Sequence, residues 1–331
     1  MRTIQKHWPD TEISWIIGRS EYPLVKAIEN VNFIIFDKSA GLSSYIKLNK
    51  QVKQSLHGRK FDVLMHIQLS LRASIASLFI PAKIKLGFDS KRARDMQALF
   101  CNQHINPESV RQHVLDSFLE FPRHFGLDPV MNWSLPISQS AIDNIKTRLD
   151  TSKKLFVINP CAAAKAKDWR NWNAESYAAI ADYISEKHDM QVVLTGGFSP
   201  LEKHTAEAIL LLCKTAKPVS LVATTSIDEL VAVLKLADMV LAPDTGPVHI
   251  ASALGSRTIG LYAATNPQRA GPYNYLPFVV NRYPDALLKY NHKKVADAPW
   301  GERIRTAECM RLISVDEVIT QIEKLLLQPR Q

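Results

Sequence analysis

One stretch in the second half of the chain decides the fold, and over residues 239–255 it reads MVLAPDTGPVHIASALG. Four apolar residues at 239–242 predict a buried strand, and a helix-forming stretch at 247–254 follows after a short turn. A strand that leads through a turn into a helix is the repeating unit of α/β proteins. The stretch therefore predicts one βα unit, and its neighbours along the chain decide whether it belongs to a larger sheet.

The same alternation continues on both sides of this unit. Apolar runs predict further strands at 155–158, 192–194, 219–222 and 258–262, and periodic stretches predict helices at 174–188, 201–214 and 227–236. A run of βα units predicts a parallel, doubly wound sheet with right-handed crossovers. Ligands of such sheets bind beyond the carboxyl ends of the strands, which is where the turn at 243–246 lies.

The first half of the chain predicts a second α/β domain. Strands are expected at 12–17, 32–36 and 61–65, with helices between them. The chain opens on the tail of a helix at 4–8, so this domain is expected to lack its first strand. A junction at 135–154 contains a helix from about 141 to 149, and beyond Pro277 the chain is expected to be irregular until an amphipathic helix at 315–327. The predicted domains are 1–150 and 151–331, in line with the size at which single cores stop growing.

The composition is that of a globular protein, since 46% of the 331 residues are hydrophobic and 22% are charged. These values exclude a disordered or collagen-like chain, and no apolar run approaches the roughly 20 residues of a membrane helix. Residues 1–8 lack the apolar core of a signal peptide, so a cytoplasmic location is expected. Four cysteines without CxxC spacing favour buried thiols over a zinc site or disulfides, and no metal or cofactor is expected.

The net charge is +9, because 41 Lys and Arg exceed 32 Asp and Glu by nine. The basic residues are spread along the chain, so the charge fits an anionic partner and a merely basic surface equally well. The hypothesis that the protein binds nucleic acid is supported by its net charge alone. The sequence has no aromatic and basic interleaving and no recognised motif, so no nucleic-acid partner is expected.

The turn after the strand at 239–242 has the residues of an anion site. Asp244 or Thr245 can cap the helix, Gly246 allows a ligand to approach the backbone, and Pro247 suits the first helical position. Free N–H groups and the helix dipole attract an anion, and His249 lies one turn inside the helix. The alternative is that these are ordinary helix-start residues and His249 is a surface histidine.

Two further loops follow strands at the same predicted edge of the sheet. Lys165, Lys167 and Arg170 would suit a diphosphate, and Glu202 would suit ribose hydroxyls. The alternative for the first loop is a solvated basic segment whose Trp172 packs as a hydrophobic staple. The sequence contains neither GxGxxG nor GxxxxGK[ST], so the dinucleotide-dehydrogenase and P-loop classes lose their usual support.

The densest basic stretch of the first half lies at 83–94. Its Lys91, Arg92 and Arg94, together with Arg72, are the predicted contacts for an anionic acceptor. The alternative is a solvated basic loop.

The residues quoted above closely resemble a known family. The stretches 244–255 and 260–273 are similar to the lipopolysaccharide heptosyltransferases of glycosyltransferase family 9, and shorter matches at 8–15, 61–68 and 85–89 extend the resemblance over most of the chain. The combination of stretches is specific, although each one alone is not.

The resemblance implies a GT-B fold, in which two Rossmann-like, doubly wound domains face a central cleft and the second holds the nucleotide-sugar. It implies an inverting, metal-independent transfer of heptose from ADP-heptose, or a related nucleotide-sugar, to the anionic inner core of lipopolysaccharide. Peripheral contact with the cytoplasmic face of the inner membrane follows from such an acceptor. Position by position, Asp244, Thr245, Gly246 and His249 match the donor-binding motif, while Arg170 and Glu202 match groups near the diphosphate and the nucleotide.

The chain also departs from the family pattern. The resemblance implies that the family's catalytic base is an aspartate in a Gly-Asp loop directly after the first strand. No residue of this chain matches that aspartate, so the catalytic base stays unassigned. His66 stands where members often have Asp, and alanines at 162–164 replace hydroxyl residues. The alternative function is therefore a truncated or degenerate transferase that binds a nucleotide-sugar without efficient catalysis.

Overall fold

The computed structural model describes residues 1–56, 58–106, 109–162 and 169–328. It divides the chain into two compact units, Met1–Asn132 and Trp133–Gln331. In the first unit the strands are β1 (Ile13–Gly18), β2 (Val31–Phe36), β3 (Phe61–Met65), β4 (Ala82–Gly87) and β5 (Gln103–His104), and the helices are α1 (Arg2–His7), α2 (Leu42–Leu56), α3 (Leu71–Leu78) and α4 (Val114–Arg123). The three strands predicted here are confirmed to within one residue.

The described strands of the first unit form two parallel sheets, β1-β2 and β3-β4-β5, which share no hydrogen-bonded ladder. Helix α2 packs against β2, and Leu48, Val52 and Leu56 repeat every four residues on its buried face. This face belongs to one hydrophobic cluster with Ile34 of β2, and Phe61 of β3 packs against that cluster. The expectation that an opening strand is absent from this domain stays a prediction.

Strand β4 corrects the interpretation of 83–94 as one basic loop, and of 85–89 as a loop in the family resemblance. Lysines alternate with apolar residues along β4, and this period of two is that of a half-buried strand. Leu86 is fully buried, Lys83 Nζ lies 2.7 Å from Asp62 Oδ1, and Lys85 Nζ donates to the carbonyl of Ser77. Only the part of the stretch after Gly87 is a loop.

The second unit is the predicted doubly wound domain. Its strands are β6 (Leu155–Ile158), β7 (Gln191–Leu194), β8 (Val219–Ser220), β9 (Met239–Pro243), β10 (Arg257–Tyr262) and β11 (Val280–Asn281), and its helices are α5 (Gln139–Lys146), α6 (Ala174–His188), α7 (Pro200–Leu212), α8 (Ile227–Leu236), α9 (Gly246–Ala253), α10 (Pro267–Ala270), α11 (Tyr283–Asn291) and α12 (Val315–Leu326). The parallel strand order is β11-β10-β9-β6-β7-β8. The order reverses between β6 and β9, which places the ligand crevice of such a sheet beyond their carboxyl ends. Every residue of these two strands is buried.

The units divide earlier than the boundary predicted at 150, because α5 packs against α8 in the second unit. Ile145 of α5 is fully buried, and Asn144 donates a hydrogen bond to Glu229. Just after α5, the Arg148 guanidinium donates to the carbonyl and the hydroxyl of Thr224, at 3.2 and 2.6 Å. The helix predicted at the junction therefore belongs to the second unit.

The expectation of an irregular chain between Pro277 and the last helix is wrong. Strand β11 and helix α11 lie there, followed by a 3-10 helix at Ala307–Leu312. Strand β11 has only two residues, which are too few to show a period in the sequence. Helix α11 is stabilised by tertiary packing, since its Tyr283 and Leu287 are buried. The final amphipathic helix is confirmed as α12, which begins with a capping box of Ser314 and Glu317.

Buried thiols are confirmed for Cys161 and Cys309, while Cys101 and Cys213 are partly exposed, and no disulfide joins any of these four described cysteines. Within the described ranges, every helix is too short or too polar to cross a bilayer.

Candidate functional site

The loops after β6 and β9 meet at the predicted edge of the sheet. Arg170 Nη1 donates a hydrogen bond of 2.7 Å to the carbonyl of Asp244, and the same nitrogen lies 3.7 Å from Asp244 Oδ2. The loop that carries Arg170 is held in place at its end by Trp172, which is buried and donates from its indole to the carbonyl of Ile313. The structure thus brings together two of the residues that the sequence singled out in separate loops.

Asp244 is the buried charge at the centre of this arrangement, with 14% of its side chain exposed. Burial alone would raise the pKa of the Asp244 carboxyl. The hydrogen bond and charge of His249, whose Nε2 lies 3.5 Å from Oδ1, together with the charge of Arg170, lower this pKa below its ordinary value. At neutral pH the site therefore holds a carboxylate flanked by two basic side chains.

The start of α9 differs from the other helix starts at this edge. Asn173, Ser199 and Ser226 cap α6, α7 and α8 with their side chains. Thr245 occupies the corresponding position of α9, but its hydroxyl lies 3.3 Å from the carbonyl of Ala162 and makes no cap hydrogen bond. The prediction that Asp244 or Thr245 caps α9 is therefore wrong. As a result, no side chain of the described residues caps the first-turn N–H groups of α9.

Gly246 and Pro247 shape the surface above these N–H groups. A Cβ atom built on Gly246 would meet no heavy atom within 4 Å. Internal packing therefore gives no reason for glycine here, whereas a ligand close to the backbone would. Pro247 is the second residue of α9, one later than predicted, and it has no N–H group to leave unpaired.

Glu202 lies at the start of α7, after β7. Its Oε1 accepts a hydrogen bond of 2.7 Å from Gly197 N, and its Oε2 accepts one of 2.6 Å from Ser199 Oγ. A capping box adds to these bonds, because Ser199 N also donates to Glu202 Oε2 and Glu202 N donates to Ser199 Oγ. Most of the accepting capacity of the carboxylate is therefore already used. Contact with ribose hydroxyls stays a prediction, and Lys165 and Lys167 lie outside the described residues.

The predicted acceptor residues lie in the first unit, beyond the carboxyl ends of β3 and β4. Leu71 N donates to Asp95 Oδ2, at 3.3 Å, which ties the start of α3 to the loop that follows β4. Three of the predicted acceptor residues lie close to this hydrogen bond in the sequence and are exposed, namely Arg72 in α3 and Lys91 and Arg94 in the loop after β4.

Arg92 differs from these three exposed cations. Its side chain is 10% exposed, and its guanidinium lies 2.5 Å from the carboxylates of Asp89 and Glu120. It is held inside the unit, and so of the four predicted acceptor contacts it has the least surface left for a ligand.

The sequence profile described as glycosyltransferase family 9 (heptosyltransferase) matches residues 50–291. The chain belongs to glycosyltransferase family 9. It is 37% identical to the lipopolysaccharide core heptosyltransferase OpsX of Haemophilus influenzae over 323 residues, which are 97% of this chain and 90% of OpsX. Membership of this family makes the chain a transferase.

Solved structures agree on the fold. A glycosyl transferase family 9 structure from Veillonella parvula superposes with a TM-score of 0.77 at 20% identity, covering 99% of this chain and 92% of that one. Heptosyltransferase WaaC of E. coli, solved with ADP, gives a TM-score of 0.70 at 18% identity, covering 98% and 93%. The fold of this family 9 chain is therefore the predicted GT-B type, built from α/β units with parallel sheets.

The structure adds residues that the sequence did not single out for this family 9 transferase. A small depression beside Asp244 is lined by Arg269 of α10 and by Trp300 and Arg303. The segment around Trp300 returns to the sheet because Ile304 N donates to the carbonyl of Ala264. Arg269 lies in the stretch that resembles the family, which is a signal that could have found it. The segment 299–303 has no periodic pattern and gave none.

His66 is a second residue that the structure makes distinctive. It lies at the end of β3, is 5% exposed, and has Gln97 Nε2 at 3.2 Å from its Nδ1. Among the described residues its Nε2 has no hydrogen-bond partner. Burial lowers the pKa of His66, so this ring is neutral at pH 7.

The buried carboxylate of this family 9 site gives a pH-dependent prediction. We expect Asp244→Asn to unfold at lower urea concentration than the parent protein at pH 7. A carboxyl whose pKa is lowered by folding adds stability above its unfolded pKa of about 3.9 and loses it as the pH falls through the folded value. The difference between the two proteins should therefore narrow below pH 4. Urea unfolding across this range measures it, and a constant difference would contradict the ionised carboxylate.

The capping box of α7 gives a second prediction. We expect Glu202→Ala to lower the free energy of unfolding by about 1 kcal/mol, and Glu202→Gln to lower it by less, because glutamine retains a capping oxygen. Glu229→Ala at the capping box of α8 is the matched control. If Glu202 also contacts ribose, calorimetric titration should show ADP binding weakened about tenfold in the glutamine variant, but not in the control. An ADP affinity of the glutamine variant equal to that of the parent would show that Glu202 caps α7 and does not contact the ribose.

Proposed function

We propose that the protein is an inverting, metal-independent heptosyltransferase that moves heptose from ADP-heptose to the inner core of lipopolysaccharide. Its family membership and its similarity to OpsX support the transferred sugar and the acceptor class. The single observation that carries the donor site is the uncapped start of α9 beside the Arg170 guanidinium. Backbone N–H groups and a fixed cation at one sheet edge suit a diphosphate.

The reaction breaks the bond between the anomeric carbon of heptose and the diphosphate oxygen. An acceptor hydroxyl attacks from the opposite face, loses its proton to a base, and inverts the configuration, while ADP departs with the electron pair of the broken bond. Negative charge grows on the diphosphate as the bond breaks. Arg170 and the first-turn N–H groups of α9 are fixed donors for this charge.

Asp244 acts as a positioning residue in this proposal. Its carboxylate does not bind the anionic diphosphate, because like charges repel. It lies beside Arg170 and His249, and its main-chain carbonyl receives the Arg170 hydrogen bond. The carboxylate therefore fixes the two basic side chains against the start of α9. The group that accepts the proton stays unassigned.

The acceptor is proposed to meet the first unit. Arg72, Lys91 and Arg94 are exposed cations at one edge of the β3-β4 sheet, and an inner-core acceptor is anionic. An acceptor held in a bilayer places the protein at the cytoplasmic face of the inner membrane, in peripheral contact with it. The proposal includes no nucleic-acid partner.

Two measurements on the full chain test the proposed function. Isothermal titration should show binding of ADP, and a transfer assay with ADP-heptose and lipopolysaccharide that lacks core heptose should release ADP and extend the acceptor. Activity should persist after treatment with EDTA. Binding of ADP without turnover would favour the degenerate transferase instead, and absence of ADP binding would overturn the donor site.

A further inference from the structure

The charge of one segment in the first unit is strongly one-sided. Residues 38–61 contain six lysines and arginines and no carboxylate. Lys38 and Arg59, near the ends of the segment, lie 3.4 Å from Glu21 and Glu12. Lys50 and Lys53, in the middle, have no carboxylate at ion-pair distance within the part of the chain that the structure describes. Residues 38–61 therefore carry a formal charge of +6, which Glu12 and Glu21 offset near the two ends of the segment.

Helix α2 also has apolar side chains on its outer surface. Leu48, Val52 and Leu56 face the core, as described above. On the other side Leu42 is 83% exposed and Ile46 is 71% exposed, four residues apart and hence on the same face. The exposed lysines Lys47, Lys50 and Lys53 flank these two residues. These five outward residues are called the basic face of α2.

We infer that the basic face of α2 docks on an anionic lipid surface. Two exposed aliphatic side chains can enter the boundary between headgroups and acyl chains, while flexible lysines reach the negative headgroups around them. No carboxylate lies between Asp37 and Asp62 in the sequence, so α2 itself adds no charge that such a surface would repel. The inference rests on the proposed function in one respect, since a membrane-bound acceptor gives the protein its reason to be at a bilayer.

A second exposed apolar patch, at the end of α7, lacks the one-sided charge of α2. Leu211 at the end of α7 is 85% exposed, and Leu210 and Leu212 are partly exposed. Carboxylates lie close to this patch, including Glu207 on the same helix and Asp182, which accepts hydrogen bonds from the segment that follows α7. The charge around α7 is therefore mixed and does not complement an anionic surface.

The test is co-sedimentation of the full chain with vesicles, in the absence of any sugar nucleotide or acceptor. Vesicles of phosphatidylcholine with about a third phosphatidylglycerol are compared with phosphatidylcholine alone. The parent protein should bind the anionic vesicles and lose binding as salt is raised. The triple variant Lys47→Gln, Lys50→Gln, Lys53→Gln should bind about 100-fold more weakly, since each lysine near such a surface contributes about fivefold.

A second α2 variant and two control variants distinguish vesicle binding by the basic face of α2 from vesicle binding by the overall positive charge of the protein. Leu42→Ser with Ile46→Ser should weaken vesicle binding about tenfold or more but keep its dependence on salt. The matched controls are the exposed triple Lys203→Gln, Lys214→Gln, Lys217→Gln and the single Leu211→Ser, and both should bind like the parent. Parent-like binding by both α2 variants, or an equal loss in the controls, would overturn the inference.

The same variants keep this inference apart from the proposed function. Thermal unfolding and ADP titration of each α2 variant should match the parent, because α2 lies in a different unit from the donor site. Failure of ADP binding in the parent would count against the proposed function, while vesicle binding would still test the basic face of α2.

Discussion

Replacement of Arg170 by methionine is expected to slow heptose transfer by about two to three orders of magnitude in kcat. The guanidinium lies on the main-chain carbonyl of Asp244, at the uncapped start of α9, where the proposed diphosphate acquires charge as the sugar bond breaks. Loss of one fixed donor to such a developing charge costs about this much in enzymes that have been dissected by mutation. Initial rates of ADP release with saturating donor and acceptor measure the effect.

A conservative variant and a matched control sharpen this prediction. Arg170→Lys retains the charge but not the planar fork of donors, so it should recover only part of the lost rate. Arg148→Met removes a cation of the same unit whose guanidinium bonds Thr224, and its transfer rate should stay close to that of the parent. A rate for Arg170→Met within threefold of the parent would show that the diphosphate is not held by this side chain.

The second unit was more predictable from sequence than the first, for a physical reason. Strands β6 and β9 are buried on both faces, so they appear in the sequence as short continuous apolar runs between clear helical periods. Strand β4 is half-buried and has lysines at alternate positions. These lysines make the segment resemble a basic loop, although its alternation of polar and apolar residues is that of a strand. The two residues of β11 gave no pattern, because a strand that short is defined by its pairing with β10 alone.

The candidate site was predictable in its location and less so in its hydrogen bonds. The turn at Asp244 and the basic residue Arg170 were found separately, because each follows a strand and precedes a helix. The hydrogen bond between them joins residues 74 positions apart, and no local pattern records such a bond. For the same reason the sequence could not show that Glu202 is already occupied by a capping box or that Arg92 is buried between two carboxylates.

Gly246 leaves open space at the start of α9, so side chains added there are expected to weaken ligand binding strongly while leaving the fold intact. We expect Gly246→Val to weaken ADP binding at least 100-fold, with Gly246→Ala intermediate. The added atoms would occupy the open space above the first turn of α9, where the diphosphate is proposed to lie. Alanine in a helix is favoured over glycine by up to about 1 kcal/mol, so the stability of the alanine variant should be unchanged or higher. Isothermal titration and urea unfolding measure the two quantities on the same samples.

Gly260 supplies the contrast that makes this result interpretable. A Cβ at Gly260 would lie 2.6 Å from Cε2 of Tyr262, so the ring would have to move within a buried strand. We expect Gly260→Ala to lower the free energy of unfolding by about 1 to 3 kcal/mol, as overpacking of a core does. Substitution of Gly246 should thus weaken ADP binding without lowering the free energy of unfolding, while substitution of Gly260 should lower the free energy of unfolding. A destabilised Gly246→Ala with parent-like ADP affinity would reverse the roles and remove the diphosphate from the start of α9.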